Sequence, residues 1–524
     1  MPHLSRNASP SLWTRGIFPD ACVFAAGLIA CGAFFYLHWN FWEDQSAQVY
    51  MTWGMFHGLR PYVDLVDPNW PGILLPHTVA YLMAGIDPWG LRSIDLLFAF
   101  ALLLATSKVL AAWGTPLAMR LLAGCAYLTN YFATGWMWTA QRESFCWPLF
   151  VLAAIPFLLV LGPRDSASPS PTSDARAWTW FVFGVIAGFS LWIKPSPWPA
   201  LFAVYVMAAI MCDRGERATV LRGILWHTLG IVAVTVLFIG ALAALGELRG
   251  FIKWGIYYDL GPYSQVKFSW PVRLRWSLHV LTDPAMRPLA LAMGAVGSIV
   301  AIAWPRALRR WRQPARPIIT SLMLVIASAL VVLLQGKPSS IYHFIPLEWS
   351  LAAYAAVIWS IVPWAKGVRE LVLICVAIVV GVTIYDGPSH AGPTQGAIAG
   401  YRLRSSLGPD DEIVEWGYAP SLLMEAQRRT PFMTFIGTAF LVTSPGDSWA
   451  AREVLDRLNI ALNDPAVRYL LVERIPNYRM RPDILDWPKD YLNVDPALRE
   501  TVLTRYRLLS DNSLAGFDVY SHKR

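Results

Sequence analysis

Apolar runs long enough to cross a membrane recur along this chain. The first, residues 19–40, gives way abruptly to a polar stretch, Phe41–Gly72, FWEDQSAQVYMTWGMFHGLRPYVDLVDPNWPG. A membrane helix needs roughly 20 mostly apolar residues. Runs at 91–111, 117–133, 143–161, 178–194, 196–211, 224–246, 286–303, 318–334, 345–364 and 370–385 are predicted as further spans. The run 71–86 is weaker, about 16 residues with Pro76 and His77 inside it. Charge arbitrates its place, because Lys and Arg favour the cytoplasmic side of a membrane. The linkers Asp213–Arg222, Pro305–Pro317 and Lys366–Arg369 fall in the cytoplasm only if 71–86 lies on the outer surface as a juxtamembrane helix. That gives about 11 spans, a cytoplasmic N-terminus and an extracytoplasmic C-terminus. Loop 247–283 is then placed outside although it carries five Lys/Arg against three acids; long loops obey the charge rule weakly.

Polar punctuation divides the rest. The N-terminal MPHLSRNASPSLWTRGIFPD leads into an apolar run too long, and too poor in a small-residue cleavage site, for a removed signal peptide. Residues 162–176, GPRDSASPSPTSDAR, read as a flexible inner-face linker, and no internal repeat of the kind found in two-halved transporters is visible. From about 386 to 524 the composition shifts to that of a small α/β domain, outside the membrane and following the 1–385 membrane domain. DEIVEWG at 411–417 and RYLLVER at 468–474 are predicted strands, with a helix through Ser421–Gln427 after the first. An amphipathic run Pro496–Tyr506 precedes two short strands, RLLSD and GFDVYSH, around a turn. No phosphate-binding Gly loop is present there, so scaffolding or acceptor recognition is expected of this part.

Composition fits the pattern. At 524 residues, 56% hydrophobic and only 15% charged, the chain lacks the polar surface of a soluble globule. The fold class expected is an α-helical polytopic membrane protein. A net charge of +8 does not indicate nucleic acid, because the Arg residues gather in short linkers such as WPRALRRWRQPARP. All six Cys lie in or beside apolar segments, so neither a disulfide in the tail nor a CxxC metal site is expected.

The stretch after the first span is the chemical anomaly. It gathers Glu43, Asp44, Asp64 and Asp67 at a water–membrane boundary, where ionisable groups are costly unless solvated, paired or functional. Asp44, Gly58 fourteen positions on, Pro61-Tyr62, Asp64, and Asp67 leading to Pro71-Gly72 resemble the first extracytoplasmic loop of the GT-C glycosyltransferases. That superfamily includes protein O-mannosyltransferases and the aminoarabinose transferase of lipid A. The resemblance implies many spans with an outer C-terminal domain, and transfer of a sugar from a polyprenyl-phosphate carrier to a lipid, glycan or protein acceptor. It implies Asp44 as the base of an Asp-Glu pair, with Gln45 standing here at the Glu position and Glu43 on the other side. A divalent metal is compatible with the family pattern, but no ligand is assigned to one here.

The chemistry suits the residues. Attack on a phosphate-linked sugar needs a base near the acceptor hydroxyl, which a solvated carboxylate supplies. The structural alternative is that Glu43 and Asp44 only favour the start of a helix near Gln45. Asp64 and Asp67 fit a turn as well as a binding site, and His57 fits a helix surface. A departing lipid phosphate calls for cations. Arg142, Lys194, and Lys337 with Tyr342-His343 are the outer-face candidates, the last loop resembling the Lys/Arg-x-Tyr-Pro segment that meets the phosphate in relatives. Against this, Lys194 at a span end can snorkel to headgroups, and Arg142 can pair with Glu143 beside it. Arg92 and Asp95, a turn apart, are expected to satisfy each other, and Glu348 opens a span after Pro346. Trp39, Trp42, Trp53, Trp70, Trp136, Trp138, Trp254, Tyr257 and Tyr258 serve either an interfacial belt or sugar platforms, and 247–283 has the length of a lid.

The expectation is a membrane glycosyltransferase using a polyprenyl-phosphate sugar at the outer face of a bacterial inner or plasma membrane, with membrane lipids and no nucleic acid among its partners. A lipid or sugar transporter, or a scaffold without catalysis, is the alternative. A pyrophosphate-using ligase or polymerase of glycans is a third reading.

Overall fold

A bilayer offers no partner for a free backbone amide, so each apolar run closes its hydrogen bonds internally as a helix. The computed structural model describes residues 18–162, 177–262, 269–282, 294–295, 297–299, 315–335, 340–361, 392–434, 449–474, 492, 495–509, 514 and 516–523. Helices Pro88–Ala112, Leu117–Ala133, Arg142–Val160, Ala177–Ile193, Trp198–Met211, Ala315–Gln335 and Ile345–Ile361 match predicted spans to within about three residues at each end. The helix Arg217–Ala244 starts seven residues before its predicted span at 224, because Val220 and Leu221 carry the apolar pattern back to the Arg-rich turn. The predicted spans 286–303 and 370–385 lie mainly or wholly outside the described residues. Five of the described helices are long and apolar enough to cross a membrane. Segment 71–86 is a 3-10 turn, Pro71–Ile73, then a helix, Leu74–Ala84, ended by Gly85 at φ 63°. Its 11 helical residues reach only roughly 16 Å, about half a hydrocarbon core.

The chain divides into two compact units. The first comprises residues 1–37, 95–235 and 269–390, and all the regular elements described in it are helices. Its Arg142–Val160 helix packs on Ala177–Ile193 and Trp198–Met211, while Ile345–Ile361 packs on Ala315–Gln335 and Leu117–Ala133. In an apolar solvent the gain comes from close packing and internal polar contacts rather than from hydrophobicity. Gly184 shows the first: a Cβ there would sit 2.0 Å from the His227 carbonyl oxygen, so backbone meets backbone. Polar contacts are buried with their partners. Asp20 takes Arg120 at 3.0 Å and also the Ser107 hydroxyl. Asp95 accepts from the Tyr36 and Tyr131 hydroxyls, and His227 lies 2.5 Å from the Tyr205 hydroxyl and 3.2 Å from the Ala153 carbonyl.

The second unit comprises residues 38–94, 236–268 and 391–524. It joins the polar stretch after the first span to the C-terminal segment. Strand β1 (Leu65–Val66), β2 (Glu412–Trp416), β3 (Met433–Thr434), β4 (Val467–Glu473), β5 (Tyr506–Leu508) and β6 (Phe517–His522) follow in chain order. β1 pairs parallel with β3, Leu65 opposite Met433, so the first loop is stitched to the tail by backbone hydrogen bonds. The other four form one sheet in the order β2-β4-β6-β5, parallel between β2 and β4 and antiparallel elsewhere. The predicted strands at 411–417 and 468–474 and GFDVYSH appear as β2, β4 and β6, and the start of RLLSD falls in β5 while its last two residues lie outside the described ones; the helices are Pro420–Ala426 and Pro496–Arg505. Helix Pro420–Ala426 packs on both Gln395–Arg404 and Glu43–Phe56. The Tyr50 hydroxyl donates to the Arg428 carbonyl at 2.8 Å, and Arg457 donates to the Val63 carbonyl at 2.9 Å. A seven-residue π-helix, Ile252–Tyr258, brings Trp254 to 5.2 Å from Trp449 and Lys253 onto Glu453.

Gly184→Ala should lower the stability of the purified protein by about 1–3 kcal/mol, the usual cost of overpacking a tight contact. A thermal melt of the detergent-solubilised protein reads it, and an unchanged midpoint would show that the two helices separate freely.

Candidate functional site

The helix Glu43–Phe56 starts two residues before the predicted start at Gln45, and Gln45 itself explains the difference. Its side-chain oxygen reaches back to accept from the Trp42 amide at 2.9 Å, closing the first turn. The residue at the family's Glu position is therefore engaged in helix initiation. Glu43 and Asp44 occupy the first turn with their carboxyl groups turned to the C-terminal segment instead. The two oxygens of Glu43 accept from the Ser421 amide at 2.9 Å and the Ser421 hydroxyl at 2.8 Å, and Thr394 extends that chain, 2.7 Å from the same hydroxyl. Asp44, half-buried, accepts from the Tyr418 hydroxyl.

Two more acids close around this loop. The Tyr418 amide donates to Glu473 at 2.7 Å and the Ala419 amide to Glu415 at 3.3 Å. Only a glycine fits at 417, where a Cβ would lie 2.4 Å from Glu473 Cβ and 2.6 Å from a Glu415 oxygen. Burial penalises each charge here. It pushes Glu43 up to about 8 against the lowering effect of the Ser421 hydrogen bonds, and Glu473 up to about 7. Glu415 is raised well above its ordinary value by burial and then by the neighbouring charges of Glu473 and Glu43. The half-buried Asp44 thus adjoins a carboxyl group whose charge burial opposes.

The rest of the loop is internally paired. Asp64 forms an exposed ion pair with Arg60 at 3.1 Å. Asp67 is buried, accepting from Gln48 at 2.8 Å and from the Asn69 amide at 2.8 Å, which is the turn geometry that its neighbours Pro68 and Pro71 suggest. The His57 ring stacks on Trp53 at 4.1 Å.

In the helical unit, Arg142, Glu143, Lys194, Tyr342 and His343 come together. Lys194 donates to Glu143 and, at 2.9 Å, to Gln335, while His343 Nδ1 lies 2.6 Å from Glu143 and 3.2 Å from Lys194. A single Nδ1 cannot donate to Glu143 and accept from Lys194 at once. Because Lys194 already has two acceptors, donation to Glu143 satisfies more of the cluster. The Lys194 ammonium lies 5.7 Å from the Tyr342 ring centre, and Trp138 packs on that ring. Glu143 thus has partners from beyond its own helix, in addition to the charge of its neighbour Arg142. Arg92 donates to the carbonyls of Trp39 and Asn40, at 3.4 and 2.8 Å. Glu348 is buried with one oxygen lacking a hydrogen-bond partner. Lys337 lies outside the described residues.

Among the described residues no three His, Cys, Asp or Glu side chains converge to hold a metal ion. The acids around 417–421 accept from backbone amides and hydroxyls. Sequence reasoning did not single out Thr394, Glu415, Tyr418, Ser421 or Glu473. The signal for three of them was the run EWGYAPS at 415–421, in which an acid, a glycine and hydroxyl residues follow a buried strand.

No family model and no curated protein matches the sequence. Solved structures do match in three dimensions. ArnT from Cupriavidus metallidurans, crystallised with undecaprenyl phosphate, is similar at a TM-score of 0.61 and 11% identity, over 96% of this chain and 98% of that one. The apo oligosaccharyltransferase of Archaeoglobus fulgidus is similar at a TM-score of 0.52 and 12% identity, over 88% of this chain and 70% of that one. With these neighbours and its apolar helices, the chain is a multi-pass membrane protein with the GT-C fold.

Proposed function

We propose that the protein is a membrane glycosyltransferase that moves a sugar from a polyprenyl-phosphate carrier to a hydroxyl-bearing lipid, glycan or protein, at the outer face of a bacterial inner or plasma membrane. The observation that carries this reading is the half-buried Asp44, held at one oxygen by Tyr418 on the loop that resembles the GT-C first loop. The similarity to ArnT, whose crystals hold undecaprenyl phosphate, over nearly the full length of both chains supports the donor class.

In this mechanism Asp44 takes the proton of the acceptor hydroxyl as its oxygen attacks C1 of the sugar. The new C1–O bond forms while the C1–O bond to phosphate breaks, and the electron pair leaves with the polyprenyl phosphate. The proton on Asp44 then passes to water. For a departing phosphate the candidate cations are Lys194 and Arg142 of the helical unit, with Lys337 and Tyr342-His343 the further candidates the sequence offers. Lys194 is shared with Glu143 and Gln335, so its charge is partly compensated before any donor binds. The C-terminal segment would lie outside the membrane and the N-terminus in the cytoplasm. The transporter reading draws on the buried Asp20, Asp95 and Glu348 of the helical unit. A carrier-bound sugar that crosses a sealed vesicle without being transferred would favour it.

The proton inventory at the loop gives the first expectation. Glu43 has its folded value raised to about 8, so the folded state holds a proton that the unfolded state has lost above its ordinary value near 4.5. Stability therefore falls as pH rises through that window and levels off above about 8. Glu43→Gln should flatten the decline in melting temperature between pH 5 and 8, whereas a decline as steep as that of wild type would place the titration elsewhere. The base gives the second. Asp44→Asn should lower sugar transfer about 10²–10⁴-fold across a panel of polyprenyl-phosphate sugars while carrier binding persists. Transfer at the wild-type rate would remove Asp44 as the base.

A further inference from the structure

We propose that Tyr418 is a positioning residue for Asp44, making the C-terminal segment part of the transfer machinery and not only a scaffold or acceptor-recognition element. The inference rests on Asp44 being the base. Tyr418 donates its hydroxyl to Asp44 Oδ1 and so constrains how the carboxylate is turned. A carboxylate free to rotate would present either oxygen in any direction; a phenol held still selects one.

The phenol is held still by its backbone. The amide of Tyr418 is bound by Glu473 at 2.7 Å, that of Ala419 by Glu415 at 3.3 Å and that of Ser421 by Glu43 at 2.9 Å. Glu415 belongs to β2 and Glu473 to β4, adjacent parallel strands, and Glu43 opens the helix that also carries Asp44. Three carboxyl groups on regular elements thus anchor one loop at successive amides. The tight fit at Gly417 closes the approach from the preceding residue. This is the arrangement by which a supporting shell fixes a reactive group: rigid elements hold the orienting residue, and that residue holds the base.

The chemistry has a direction. A hydrogen bond donated to a carboxylate favours its charged form, so loss of the phenol should make Asp44 easier to protonate. Tyr418→Phe keeps the ring and removes only the donor. With a polyprenyl-phosphate sugar that the wild-type protein turns over, the acidic limb of its kcat/KM profile should move up by about one pH unit. Its kcat should fall roughly tenfold, the scale of one charge-assisted hydrogen bond, with the donor KM little changed. Replacing Tyr418 by 3-fluorotyrosine strengthens the donor and should move the same limb to lower pH, an opposite shift that loss of packing cannot produce. A superimposable profile for Tyr418→Phe with full kcat overturns the proposal, as does an unmoved limb in the fluorinated protein if the phenylalanine variant does not fold. If Asp44→Asn is inactive while Tyr418→Phe is silent, only the positioning role falls. If Asp44→Asn is fully active, the assignment of the base falls with it.

Discussion

The contact between Glu43 and Ser421 is the constraint around which the second unit is built. A carboxyl group that is almost wholly buried has to find donors, since leaving it unsatisfied costs about 1–3 kcal/mol or more. Glu43 finds two on one residue, an amide and a hydroxyl. Meeting that need brings Ser421, and with it the run 415–421, onto the first turn of the Glu43–Phe56 helix. The β1–β3 pairing and the Tyr50–Arg428 hydrogen bond fasten the same two segments further along. The polar stretch after the first span is therefore not a free loop; its fold is completed by residues nearly four hundred positions away.

The helical unit answers a different physical demand with a related device. Several of its buried ionisable groups are paired across helices, as Glu143 is with Lys194 and His343, and Asp20 with Arg120. Such pairs do not have to add net stability, because the desolvation of both charges offsets their attraction. Once one partner is buried, however, the other is required. Lys194 illustrates the consequence for function: a residue that sequence position suggests is reaching for headgroups is instead committed to Glu143 and Gln335.

What the sequence made legible follows from the range of each interaction. Apolar period and length mark helices locally, and Leu117–Ala133 was readable to the residue. The strands Glu412–Trp416 and Val467–Glu473 were readable as apolar runs of strand length. The acidic pair at 43–44 stood out because ionisable groups at a membrane boundary need a reason. Its partners were not legible, because nothing in the local pattern near Glu43 encodes Ser421. Likewise Glu143 reads as the neighbour of Arg142, and nothing local shows that Lys194 and His343 also meet it in space. Gln45 is the instructive intermediate case. Its departure from the family pattern was visible in the sequence, but the helix-start hydrogen bond that employs it was visible only in the structure.

Two adjacent acids at a helix start need not be equivalent, and here the surroundings separate them. Glu43 is enclosed, its charge opposed by burial and by Glu473 nearby, and both its oxygens are occupied. Asp44 faces partly outward and meets a phenol. Pairs of carboxyl groups whose environments differ in this way can divide labour, one neutral and structural, the other available for proton transfer. Because the segregation is made by the loop 417–421, the identity of the base would be a property of the C-terminal fold as much as of the first loop. The same contacts serve both ends: the amides of Tyr418, Ala419 and Ser421 each donate to a carboxyl group, and one of those groups is Glu43.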